Sequence, residues 1–108
     1  MQEPTFLVLA SLASGPKHGY ALIQEADELT NGRVTLRVGT LYAALDRLAK
    51  EGLVARAGEE VVDGRLRRSY ELTGPGREAL AVEVERLRML STRVAAKLSH
   101  HAVRWVTT

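Results

Sequence analysis

The chain has 108 residues, which is enough for one domain with a modest core and too few for a second. Charged residues make up 26% and hydrophobic residues 45%, and there is no cysteine. No apolar run approaches roughly eighteen residues, so the composition excludes a membrane-spanning helix, disulfides, thiolate metal sites and thiol nucleophiles.

Pro4 stands where a first helical turn tolerates it, and Phe6, Leu9, Ala10 and Leu12 follow in helical phase until Gly15-Pro16 ends the run. A second helix over "HGYALIQEADELT" is predicted after that break. It puts Tyr20, Ile23, Ala26 and Thr30 on one stripe and Glu25, Asp27 and Glu28 outward, with His18 capping its start and Asn31-Gly32 ending it. A short extended piece, "RVTLR", leads into a third helix that Gly52 closes.

The third helix is "RVGTLYAALDRLAKEG". Val38, Leu41, Leu45, Leu48 and Ala49 are expected to face the core. Gly39, Thr40, Ala43, Arg47 and Lys50 share the outward face, small residues first and cations last. Glycine costs roughly 1 kcal/mol relative to alanine inside a helix, so Gly39 suggests that something large comes close.

After Gly52 the period changes from 3.6 to 2. "LVARA" and "RSYELT" read as strands joined at Asp63-Gly64, a strong two-residue hairpin signal. This turn predicts the cross-strand pairs Val62 with Arg65, Glu60 with Arg67, Glu59 with Arg68 and Ala57 with Tyr70. Thr73 can cap a final helix predicted from Gly76 to Arg104, about 43 Å at 1.5 Å per residue. Its 4-3 repeat runs through Leu80, Val84, Leu87, Ser91, Val94, Leu98, His101 and Trp105. A body of the preceding residues is only about 25 Å across, so much of that seam overhangs. The expected cover is a second copy of the chain, with an interface of Leu80, Val84, Leu87, Leu90, Ser91, Val94, Leu98 and Trp105.

This order of elements is that of a mainly α, α+β fold: a winged helix-turn-helix with a long C-terminal dimerisation helix. Residues 1–75 are expected to form the DNA-binding part and 76–108 the dimerisation helix and tail, as one structural unit. In such domains the third helix enters the major groove of DNA and the hairpin follows the backbone. The net charge is only +2, but the cations concentrate between Arg33 and Arg68, whereas Lys17 alone stands against Glu3, Glu25, Asp27 and Glu28 before Gly32.

"GPKHGYAL", "GTLYAALDRLAKEGLV" and "DGRLRRSYELTGPG" together resemble the PadR family of bacterial transcriptional regulators, in order and spacing, over roughly residues 5 to 80. The resemblance implies a homodimeric repressor on double-stranded DNA carrying an inverted repeat. By position it makes Gly39, Thr40 and Tyr42 recognition-helix contacts and Arg65, Arg67 and Arg68 wing cations, with His18, Gly19 and Tyr20 at the start of the second helix. Lys17, Arg37, Ala43, Arg47 and Lys50 complete the candidate DNA contacts. The chain departs from the family pattern at Ala43, where proline is common, at Leu66, where proline is frequent, and at Arg37, often serine.

Each candidate has a plainer reading. Tyr42 lies on the border of the buried face, and Arg67 and Arg68 could pair with Glu60 and Glu59 across the hairpin. His100 and His101 point about 100° apart on a helix, so no metal site is expected. No cofactor is expected, and no clustered catalytic set or phosphate loop suggests an enzyme. A small-molecule effector near Leu87 and Leu90 is left open. The leading residues lack the cationic, apolar and small-residue series of a secretion signal, so a cytoplasmic location and no membrane partner are expected. The alternative function is a winged-helix protein-protein interaction module without sequence-specific DNA binding.

Overall fold

The computed structural model describes the backbone of residues 1–107 and the side chains of residues 1–100. Helix α1 spans Glu3–Leu12, strand β1 Lys17–His18, α2 Gly19–Leu29, α3 Val38–Lys50, β2 Val54–Val62, β3 Arg65–Leu72 and α4 Gly74–Thr107. The strands form one antiparallel sheet in the order β1-β3-β2. Among the described residues no helix is long and apolar enough to cross a membrane.

The core sits where α1, α2 and α3 meet the sheet, and its fully buried members include Leu9, Leu12, Leu22, Leu41, Leu45 and Leu48. Burial on α1 extends to Leu7 and Val8, because this helix is packed on by α2, α3, α4 and β3. Phe6 and Ala10 are only partly buried. On α2, Gly19, Leu22 and Ala26 are the buried residues and Tyr20 is exposed, so the expected Tyr20 stripe is displaced around the helix. On α3 the buried set is Leu41, Ala44, Leu45 and Leu48. Val38 is 62% exposed and Ala49 is also outside the core; both lie at the flank of the helix, where no neighbouring element covers them.

Asp63 and Gly64 both have positive φ, 52° and 75°, the mirror-image turn whose twist matches that of the two strands it joins. The predicted register holds at Val62–Arg65, Glu60–Arg67 and Glu59–Arg68. It fails at Ala57. Gly58 pairs with Ser69 and Arg56 pairs with Tyr70, so Ala57 is the extra residue of a β-bulge and does not face Tyr70. The bulge keeps Tyr70 and Val54 in the core while the outer hairpin stays polar. Strand β1 was not apparent from periodicity, since two residues carry none. It pairs Lys17 with Tyr70 and His18 with Ser69 and so ties the start of α2 to the wing.

Helix α4 starts at Gly74, two residues before the expected point, because Thr73 Oγ1 accepts the Gly76 amide at 3.0 Å and the turn Gly74-Pro75-Gly76 is already helical. Its first three turns bury Gly76, Leu80 and Glu83 against the body. Leu80, expected in the seam between subunits, is therefore part of the chain's own core. Beyond Glu83 every side chain described on α4 is exposed, up to His100. The molecule measures 68 × 28 × 21 Å, the long axis reflecting this overhang. The expected seam positions His101 and Trp105 lie outside the described side chains.

Glu83 is buried and accepts hydrogen bonds from Arg86 Nε at 2.5 Å and the Met1 amine at 2.7 Å. The Arg86 hydrogen bond, then that of the amine, holds its carboxyl down to about 2 from an ordinary 4.5. A depressed acid stabilises the fold above its unfolded pKa, and this contribution is lost as pH falls through the folded value. Glu83→Gln is therefore expected to lower the melting temperature at neutral pH, with the gap to wild type closing between about pH 4.5 and 2. A gap that persists at the acid end would show that the carboxylate charge is not what matters.

Candidate nucleic-acid interface

The exposed side of α3 divides into three strips. Gly39, Ala43, Asp46 and Lys50 point straight out. On one flank Thr40, Ala43 and Arg47 line a hollow of about 420 Å³ with Gln2, Pro4 and Thr5 at the start of α1. Arg47 Nη2 donates to Thr5 Oγ1, which fixes the guanidinium beside α1. On the other flank Tyr42 lines a cleft of about 400 Å³ with His18, Gly19, Tyr20, Leu66, Arg67 and Arg68.

Gly39 is exposed, and a Cβ there would meet nothing within 4 Å. The fold's own packing thus gives no reason for glycine in the first turn of α3. Gly19 is different. A Cβ at that position would stand 2.6 Å from Tyr42 Oη, so the bare Cα lets the phenol lie across the start of α2. Tyr42 consequently does two things: its ring packs on Gly19, and it remains 41% exposed at the mouth of the cleft.

His18 caps α2 by accepting the Ala21 amide at Nδ1, 3.3 Å away. With that lone pair in use, the neutral ring carries its proton on Nε2. Nε2 lies 3.5 Å from Arg67 Nη1, so two donors converge in the cleft with no acceptor between them. Such a pair suits an anion. Arg67 reaches His18 rather than its cross-strand partner Glu60, whereas Arg68 pairs with Glu59 at 3.4 Å across the hairpin, with both side chains about half exposed. An ion pair of that exposure is worth at most about 1 kcal/mol and yields readily to a phosphate.

The remaining candidates are distributed around this centre. Arg37 is exposed at the N-cap of α3, Lys50 at its last turn and Arg65 next to the hairpin turn. Lys17 is less available: its Nζ donates to Ser14 Oγ at 2.6 Å and pairs with Glu25 at 3.3 Å. Tyr20 is exposed and lines the cleft. Three residues beside the outer face of α3 carried no signal for this site in the sequence: Gln2, Pro4 and Thr5 come next to it only through the packing of α1 on α3. Among the described residues no group of histidines and carboxylates could hold a metal ion.

Three helices, a small antiparallel wing and a long terminal helix, with cations on the third helix and the wing, define a winged helix-turn-helix regulator. Residues 8–82 match the model of the transcriptional regulator PadR-like family. The chain is 38% identical over 95 residues to transcriptional regulator Rv3488 of Mycobacterium tuberculosis, covering 88% of this chain and 85% of that one. It is 42% identical over 92 residues to an uncharacterised 37.1 kDa protein in transposon TN4556 of Streptomyces fradiae, covering 85% of this chain and 25% of the relative, so it spans only a quarter of that protein. It spans 47% of transcriptional regulator YqjI of Escherichia coli, at 30% identity over 102 residues. A PadR family regulator from Eggerthella lenta superposes with a TM-score of 0.70 at 28% identity, covering 87% of this chain and 80% of that one. Bacillus subtilis PadR, solved in complex with operator DNA, shares the fold at 19% identity with a TM-score of 0.68, covering 77% of this chain and 48% of its own. The chain belongs to the PadR-like family of transcriptional regulators, a family of regulators and not of enzymes.

Proposed function

We propose that this protein is a homodimeric repressor that binds an inverted repeat in promoter DNA in the cytoplasm. Residues 1–75 serve as the DNA-binding part and 76–108 as the dimerisation helix and tail. The observation that carries the DNA reading is the outer strip of α3: Gly39 leaves its first turn bare with no reason in the chain's own packing, Ala43 continues it with a small exposed side chain, and beyond Asp46 it ends on the cation of Lys50. Such a strip lets the helix sink into a major groove, where Thr40 and Arg37 reach base edges or phosphates. His18 Nε2 and Arg67 converge on one phosphate, and Arg68 and Arg65 follow the backbone along the wing. That the Bacillus subtilis relative was solved with its operator supports the same use of the fold here.

Binding of promoter fragments is expected to weaken steeply as salt rises, because each neutralised phosphate releases counterions. Arg67→Ala with Arg68→Ala is expected to weaken binding to all sequences alike and to lower the slope of log affinity against log salt by roughly one to two units. An unchanged slope would remove the wing from the interface. Salt-insensitive binding to a protein partner would replace the DNA reading altogether.

A further inference from the structure

The outer half of the wing carries two large apolar side chains that the chain itself leaves open. Val61 and Leu66 are 70% and 53% exposed. They are direct cross-strand partners, so they stand side by side on one face of the hairpin, with Cβ atoms about 5 Å apart. A single exposed apolar residue is ordinary, but these two form one knob on a projecting ribbon. As a cross-strand pair they contribute at most about 1 kcal/mol to the hairpin, and a pair of threonines serves that purpose as well.

Alternation fixes the side on which the knob lies. Leu66, Arg68 and Tyr70 share one face of β3, and Tyr70 is buried in the core, so the knob continues the face that the helices cover nearer the base of the wing. Leu66 lines the cleft with Tyr42 of α3, and it stands about 13 Å beyond Tyr70 at roughly 3.3 Å per residue. Outward along β3 come Ser69 with His18 paired to it, Arg67, Leu66 and Arg65. Residues 61–66 hold one carboxylate, Asp63, whose place is set by the left-handed turn (φ 52°). A duplex presents a matching order. Beside the major groove runs a sugar-phosphate strand, where the charge is concentrated, and beyond it the minor groove, about 6 Å wide, whose floor and sugar walls carry no formal charge. With α3 in the major groove and the donors of His18 and Arg67 on a phosphate of that strand, the knob falls on the minor groove and Arg65 on its rim.

We propose, resting on the DNA reading above, that Val61 and Leu66 form an apolar wedge that enters the minor groove flanking the sequence bound by α3 and pries open one base step there. Neither side chain can hydrogen-bond a base edge, so the wedge reads the cost of deformation instead. Unstacking a step costs a few kcal/mol and depends on the step: TA and CA/TG yield easily, whereas the AA steps of an A-tract are stiff. The wing therefore selects a flexible step at a fixed distance from the bases that α3 touches, and the cations beside the knob hold the strand while it opens. Recognition extends past α3 without any further base contact.

The duplex preferred by the wild-type protein is first selected from random DNA. Its flanks are then randomised and reselected with wild type and with Val61→Thr combined with Leu66→Thr, which keeps the β propensity of both positions. Wild type is expected to favour TA or CA over AA at one fixed flank position by about tenfold, equivalent to roughly 1.4 kcal/mol. The threonine variant is expected to lose that preference while selecting the same inner sequence. 2-Aminopurine placed at the step should brighten when wild type binds and stay quenched with the threonine variant, and Val61→Ile combined with Leu66→Met should behave as wild type. The same flank preference in wild type and the threonine variant, or none in wild type, overturns the wedge while the DNA reading stands. A loss of affinity that is equal on every flank makes the pair a support of the hairpin and overturns it too. Failure of wild type to enrich any sequence overturns both.

Discussion

Leu87→Glu combined with Val94→Glu is expected to turn the proposed dimer into a monomer and to cost roughly 10²- to 10⁴-fold in affinity for the proposed inverted repeat, with the helical circular-dichroism spectrum retained. Both side chains lie on the exposed stripe of α4, Val94 beyond the body and Leu87 lining a groove beside α1, and neither is buried in the chain's own core. In a two-fold pair the change places four carboxylates in an apolar seam. Removing an unpaired charge from water costs several kcal/mol, more than a helix pair of this length can offset. The loss on DNA follows from arithmetic rather than from any damage to α3. Two linked binding units engage the second half-site at a high effective concentration, and separated units do not. Val82→Glu supplies the control, since Val82 is 70% exposed and lies on the opposite side of α4. An unchanged dimer mass for the double variant, or a monomer from Val82→Glu, would place the subunit contact elsewhere.

What could be read in advance divides by the range of the interactions. The hairpin turn at Asp63-Gly64, the cap at Thr73 and the amphipathic phase of α3 are local, and each was legible because backbone geometry over a few residues determines it. The bulge at Ala57 was not, since nothing in "LVARAGEE" distinguishes an alternating strand from one that slips by a residue to keep Val54 and Tyr70 buried. Strand β1 consists of Lys17 and His18 and exists only because β3 is there to pair with. Its consequence for the candidate site is large. It delivers His18 to Arg67, while the sequence alone suggested Glu60 as the partner of that arginine. Leu80 illustrates the same limit on α4: the heptad pattern cannot tell which leucines meet the chain's own body and which extend past it.

Two glycines in helical first turns separate what the chain needs for itself from what it leaves for a partner. At Gly76 a Cβ would stand 1.9 Å from the carbonyl oxygen of Leu53 and 2.9 Å from its carbon. These are backbone atoms and cannot rotate away. The same oxygen accepts the Thr73 amide at 3.1 Å, and Thr73 Oγ1 donates to the Gly52 carbonyl at 2.6 Å, so the end of α3, the end of β3 and the start of α4 are locked in one joint. Gly76→Ala must open that joint. Overpacking of this kind costs about 1–3 kcal/mol, and at roughly 4–8 °C per kcal/mol for a domain of this size the melting temperature is expected to fall by about 5–20 °C. Because the joint also sets the direction of α4 relative to α3, the spacing of the two α3 helices in the proposed dimer changes with it. Operator affinity should therefore fall even well below the melting point, with the salt slope preserved. Gly39→Ala is expected to do the reverse to stability. Its Cβ meets nothing, and alanine is favoured in helices by up to about 1 kcal/mol, so the melting temperature rises slightly while DNA affinity drops. If Gly76→Ala melts like wild type, α4 is not anchored at Leu53; if Gly39→Ala binds operator as well as wild type, the first turn of α3 is not pressed against the duplex.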